Sequence, residues 1–222
     1  MNLAREAALI AGKDLRIEAR SRVTTSQVLP FGLIVLILFA FALDPDRGLL
    51  PRVAAGLFWV AVLLSALLAV GRSAAVEHAA PDALRLAGVD GAAVFLGKAV
   101  ALAVELLALE VVLGIGVFVL YDVDLREVGV LVLATVAATA GIAATGTLYA
   151  VLAAGLRVRE TLLPLLLLPV VAPVMLGATR AWEAALDGVP ADAWPWVALL
   201  ALFATLYTAI GMLAYGPLLE ET

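Results

Sequence analysis

Two carboxylates interrupt an otherwise apolar stretch, Glu105 and Glu110, between Lys98 and Asp122. They stand seven and twelve residues past Lys98, or about 10 and 18 Å into a helix rising 1.5 Å per residue. Glu110 is therefore expected near the midplane of a membrane span, where a charge costs several kcal/mol unless it is neutralised or paired. The five-residue separation turns the two side chains about 140° apart, so they do not form one paired-carboxylate site for acid/base work. Two roles stay open for them. One is a relay in transport; the other is a protonated Glu bonded to a hydroxyl of span four, with Thr135, Thr139, Thr145 and Thr147 as candidates.

Other chemistry is scarce. The chain has no cysteine and one histidine, His78, which leaves no thiolate nucleophile, no disulfide, no His-Glu-x-x-His and no Ser/His/Asp set. No metal site and no catalytic residue are assigned. A phosphate loop is missing too: Gly12-Lys13 and Gly97-Lys98 are followed by Asp14 and Ala99 and lack the glycine frame. The chain is accordingly not expected to hydrolyse ATP by itself, and it is read as no enzyme.

Composition says what holds these residues. The 222 residues are 64% hydrophobic and 15% charged, with a mean hydropathy of +1.10, far from a soluble domain. A net charge of -5 argues against a nucleic-acid partner. Charge-free intervals mark six transmembrane helices, between Arg22 and Asp44, Arg52 and Arg72, Lys98 and Asp122, Glu127 and Arg157, Glu160 and Arg180, and Asp192 and Glu220. The first could be a secretory signal ending at Ala40-Phe41-Ala42, but the charged region before it is 22 residues long and its apolar run exceeds a signal core. It is read as retained.

Ten Lys and Arg lie on the side of the N-terminus, of 72 to 98 and of 157 to 160; Arg47, Arg52, Arg126 and Arg180 lie opposite. The positive-inside rule then puts both termini in the cytoplasm. Trp59, Trp182, Trp194 and Trp196 fall near the outer boundary, as interfacial anchors would. Residues 1–22 carry Leu3, Ala7, Ile10 and Ile17 at helical spacing, with Arg5, Lys13, Arg16 and Arg20 mostly off that stripe. They suit an amphipathic helix lying in the cytoplasmic interface, or a basic leader that only sets topology.

Residues 23–222 form the transmembrane domain, with 72–98 as its longest cytoplasmic connection. There Pro81, Asp82, Leu84, Arg85 and Leu86 suit a short helix ended by Gly88, able to dock on a soluble partner or to rest on the bilayer, and Asp90 is placed to cap span three. Span four pairs small residues four apart, Ala134/Ala138, Ala140/Ala144 and Gly141/Thr145, and should pack closely, within the subunit or across a dimer. Pro164, Pro169 and Pro173 should kink or interrupt span five, and 180–192 reads as a small outer hairpin.

The run from Lys13 to Arg22, the Leu96-Gly97-Lys98 triplet, and above all Arg159-Glu160 followed by leucines punctuated with Pro164, Pro169 and Pro173, resemble the CcmB family, the heme exporter B proteins of cytochrome c maturation. The likeness covers the chain in order. It implies an all-α integral membrane fold of type-2 ABC transporter permease kind, working with a cytoplasmic ABC ATPase subunit that binds ATP. It also implies heme-handling membrane partners, a heme chaperone outside, a homodimer within the complex and a bacterial inner-membrane location. The role implied is ATP-driven release of the heme-loaded chaperone. Val76-Glu77-His78 departs from the more charged run expected there. Axial heme ligation uses His, Met, Cys or Tyr, and on the outer side only Tyr121 stands near a span end, so partner subunits are expected to ligate heme. Two alternatives are a permease of the same fold exporting a lipid, glycan or drug, and a proton-coupled transporter relaying through Glu105 or Glu110.

Overall fold

The computed structural model describes residues 2–22, 24–43, 48–77, 90–154 and 159–221. Among them lie seven α-helices: α1 (Leu3–Ser21), α2 (Leu29–Ala42), α3 (Leu50–Glu77), α4 (Gly91–Tyr121), α5 (Val128–Ala154), α6 (Arg159–Leu186) and α7 (Pro190–Glu221), with a π-helical turn, Thr24–Val28, leading into α2. Six helical stretches are long and apolar enough to cross a membrane, the first being Thr24–Ala42 and the last Pro190–Leu218. The chain is an all-α, multi-pass membrane protein.

Local chemistry sets the helix ends. Asp90 accepts a hydrogen bond from the Ala92 N–H (3.0 Å) and caps α4, as its position in the sequence suggests. The α6 to α7 connection is only residues 187–189. Gly188, at φ 75°, donates to the Ala185 carbonyl, and the Val189 N–H reaches Ala184 O at 2.9 Å. This is a glycine-terminated helix end with two of its last carbonyls satisfied, not the hairpin expected over 180–192. Of the kink or interruption expected in span five, the interruption is absent, since α6 runs through Pro164, Pro169 and Pro173. Neighbouring helices and local adjustment accommodate the lost donors in hydrocarbon.

In lipid, apolar side chains gain nothing by leaving hydrocarbon, so association rests on close packing and hydrogen bonds. The small residues of α5 do this. Ala134, Ala138 and Ala144 are buried, and a side-chain carbon at Gly141 would stand 3.1 Å from Phe203 of α7 and 3.7 Å from Val174 of α6. Thr145 is buried but turned on its own helix, donating to the Gly141 carbonyl at 2.7 Å. Leu202, Leu213, Val111 and Val119 are 63% to 81% exposed, the outward apolar surface that acyl chains cover.

α1 is not a free-lying helix. Ala7, Ile10 and Ala11 are buried against α4, where a side chain on Gly97 would come within 2.6 Å of Ile10 and 2.8 Å of the Ala7 carbonyl. Only part of the expected stripe is used, because Ile17 stays 45% exposed.

Two of the four tryptophans correct their reading as interfacial anchors. Trp59 and Trp182 are buried; Phe58 stacks on Trp182 with centroids 4.0 Å apart, and Trp59 meets both rings edge-on. Aromatic quadrupoles favour such offset and edge arrangements. Trp194 alone of the four is more than half exposed, while Trp196 packs partly against the core.

Candidate functional site

α4 carries both intramembrane carboxylates and delivers them to different places. Glu110 is buried, and Thr139 Oγ1 of α5 lies 2.9 and 2.7 Å from its two carboxyl oxygens. The same hydroxyl stands 2.8 Å from the Thr135 carbonyl. A hydroxyl has one proton to give. A Glu110 carboxylic acid donating to Thr139, with Thr139 donating to Thr135 O, would put a proton in two of these three close contacts, whereas an ionised Glu110 would leave Thr139 one proton for all three. One turn away, Trp182 Nε1 of α6 donates to Thr135 Oγ1 at 3.0 Å, and Thr135 Oγ1 donates to Leu131 O at 2.8 Å. The chain of bonds joins α4, α5 and α6, and Thr139 is the one of the four candidate threonines that lies against Glu110.

Glu105 faces the other way, into a cleft of about 80 Å³ between α1, α3 and α4. Its walls include Asp14 and Glu18 of α1, Arg72 of α3 and Lys98 of α4. Thr24 joins two of these acids: its backbone N–H donates to Glu18 Oε1 at 2.7 Å and its hydroxyl to Glu105 Oε1 at 3.2 Å. Arg72 pairs with Glu18 at 3.3 Å and Lys98 with Asp14 at 3.7 Å, while Lys13 also reaches Asp14 at 3.0 Å. Burial pushes the Glu18 carboxyl up, but the Thr24 and Arg72 hydrogen bonds and the Arg72 charge outweigh it and hold the group below its ordinary value.

The sequence singled out Glu105 and Glu110 and missed Asp14, Glu18, Thr24 and Arg72. A signal was present: Asp14 and Glu18 are spaced i, i+4, on one face of α1. The basic stripe drew attention instead. Arg159 and Glu160 begin α6, with Pro164, Pro169 and Pro173 further along it; the side chains of Arg159 and Glu160 lie outside the described residues, as do Pro81, Asp82, Leu84, Arg85, Leu86 and the short helix expected there. Tyr121 is buried, and its hydroxyl donates to the Leu36 carbonyl at 2.9 Å, tying α4 to α2.

The two carboxyls do not face each other, and each lies within hydrogen-bond distance of a threonine from another segment, Glu105 of Thr24 and Glu110 of Thr139. The family model described as "CcmB protein" matches residues 5–220. "Heme exporter protein B" of Pseudomonas aeruginosa is 30% identical over 219 residues, covering 93% of this chain and 94% of that protein. The Haemophilus influenzae protein of the same name is 31% identical, covering 82% and 83%. An Escherichia coli relative, also so named, is 44% identical over 59 residues, 27% of each chain. The match takes in α1, the threonine-held carboxylates and all six spans, and the chain belongs to the CcmB protein family.

Proposed function

We propose that this chain is the permease subunit of an ABC transporter complex for cytochrome c maturation. Hydrolysis of ATP by a separate cytoplasmic subunit is coupled through it to heme handling and to release of a heme-loaded chaperone at the outer face. The observation that carries this is the family match from residue 5 to residue 220 on a chain of six apolar helices. Membership makes it the membrane component of a heme-handling transporter, and the relatives' printed name is the source of the heme assignment.

The chain sits in the bacterial inner membrane with both termini in the cytoplasm, supported by the ten-to-four split of Lys and Arg. Residues 1–22 serve as its interfacial segment, 23–222 as the permease domain and 72–98 as the coupling connection, and it works as a homodimer. Reporter fusions at Thr222 and in the 122 to 127 loop are expected on opposite sides; the same side for both would end the six-span topology.

Heme ligation belongs to partner subunits. Tyr121 already gives its proton to Leu36 O, and Met175 and Met212 lie within α6 and α7. Deleting the gene is expected to remove heme-staining c-type cytochromes while b-type cytochromes persist, since only the former need covalent attachment. Intact c-type cytochromes in the deletion strain would refute the heme role and leave export of a lipid, glycan or drug. A proton-coupled relay through Glu105 or Glu110 is the second alternative, and one that uses both together is disfavoured because the two carboxyls bond to threonines of different segments.

A further inference from the structure

α1 joins the bundle through a junction with unusual backbone. Arg22 ends the helix in the left-handed region at φ 53°, and the chain resumes as a π-helical turn, Thr24–Val28, before α2 begins. Such turns are rare, and frequent at functional sites. Contacts across this one tie the end of α1 to the bundle.

Those contacts converge on one residue. Thr24 spends its backbone N–H on Glu18, one turn before the end of α1, and its hydroxyl on Glu105 of α4. Glu18 is gripped from a third element by Arg72, near the end of α3, and Ser21 Oγ also lies 3.3 Å from it. The junction is thereby tied to α3 and α4, the two helices that flank the connection 78–89. Further along α1, Lys98 of α4 pairs with Asp14, and Gly97 admits Ile10. Removing Glu105 would leave these apolar and ionic contacts in place and loosen only the hinge.

We infer that Glu105 and Thr24 are positioning residues: they lock the hinge of α1 to the helices either side of the coupling connection, so that movement delivered there carries α1 with it. The inference rests on the proposed role as an ATP-driven permease for its coupling half. Its geometric half, the fixed direction of α1, stands apart from that role. Neither residue touches a substrate; each acts through the placement of α1.

The chain has no cysteine, so on it each introduced cysteine is the only site to label, and the chain is labelled before it is assembled with its partners. Ala19 is exposed on α1, and Val119, 75% exposed, lies about 21 Å along α4 from Glu105 at 1.5 Å per residue. Labels at Ala19→Cys and Val119→Cys, with doubly labelled chains diluted by unlabelled ones so that each complex carries one labelled copy, are expected to give one narrow intrasubunit distance distribution. Thr24→Val and Glu105→Leu should each broaden it by at least about two-fold; Thr24→Ser and Glu105→Gln, which keep a hydroxyl and a hydrogen-bonding side chain, should restore it. In parallel, Thr24→Val should retain the ATPase subunit and its hydrolysis rate within about two-fold while heme-staining c-type cytochrome falls at least about five-fold, with Thr24→Ser restoring the yield.

An unbroadened distribution in Thr24→Val and Glu105→Leu would overturn the hinge assignment. A broadened distribution with undiminished cytochrome would overturn the coupling half. If the unaltered protein supports no cytochrome c maturation, the functional proposal fails while the distance measurement still decides the hinge.

Discussion

Glu110→Lys is expected to prevent assembly of the complex, whereas Glu110→Gln is expected to leave it intact. The carboxyl is enclosed between α4 and α5 with Thr139 as its hydrogen-bond partner. A lysine there would replace it with a longer cation facing the Thr139 hydroxyl and the Thr135 carbonyl, with no carboxylate among the described residues bonded at this site. A charge at the centre of a membrane helix costs at least about 2.5–3.5 kcal/mol, which is about sixty- to three-hundred-fold in an equilibrium. Glutamine keeps the shape, and its amide N–H can donate to Thr139 as the carboxylic acid does. Yield of detergent-purified complex should fall at least ten-fold for Lys and stay within about two-fold for Gln. Cytochrome c maturation then separates the two roles open to Glu110: full activity with Gln marks a helix fastener, and assembled but inactive complex marks an ionisable group. Equal tolerance of Lys and Gln would mean that Glu110 does not face a confined interior.

The second large effect is expected from replacing Leu84 and Leu86 together by Asp. These residues lie between the end of α3 at Glu77 and the Asp90 cap of α4, on the connection proposed to meet the ATPase subunit. If the short helix around them seats its apolar side chains in a cleft of that subunit, two aspartates would be buried there unpaired. A penalty of only about 3 kcal/mol, modest for desolvated charge, weakens the contact more than about a hundred-fold. Membrane insertion should be untouched because the substitution lies outside every span. Undiminished retention of the ATPase by this double variant would reject the site and move attention to the 157 to 160 connection.

What could be read from the residues alone follows from the solvent. A bilayer demands long, charge-free helices, so the six spans stand out as intervals between Lys, Arg, Asp and Glu, and the Asp90 cap and the small-residue face of α5 follow from single-helix rules. Contacts between distant segments leave no such mark. Trp59 and Trp182 have the position of interfacial anchors, and only the packing of α3 against α6 shows them turned inward, Trp182 stacked on Phe58 and Trp59 edge-on to both rings. Glu105 declared itself by standing in an apolar run. Its partner Thr24 lies 81 residues away and is one of many threonines, so the hinge it completes was not legible. Of the kink or interruption expected from the prolines of α6, interruption does not occur, because neighbouring helices can re-satisfy the backbone groups the prolines free.

The central claim is that this chain works as the membrane half of an ATP-driven, heme-handling complex. It is tested most directly by purifying the tagged protein from its own host in mild detergent and identifying what remains bound. The account predicts an ABC ATPase subunit in stoichiometric amount together with a heme-containing membrane partner. An ATPase without any heme protein would contradict the heme assignment, and a chain recovered in active form with no ATPase at all would contradict the account as a whole.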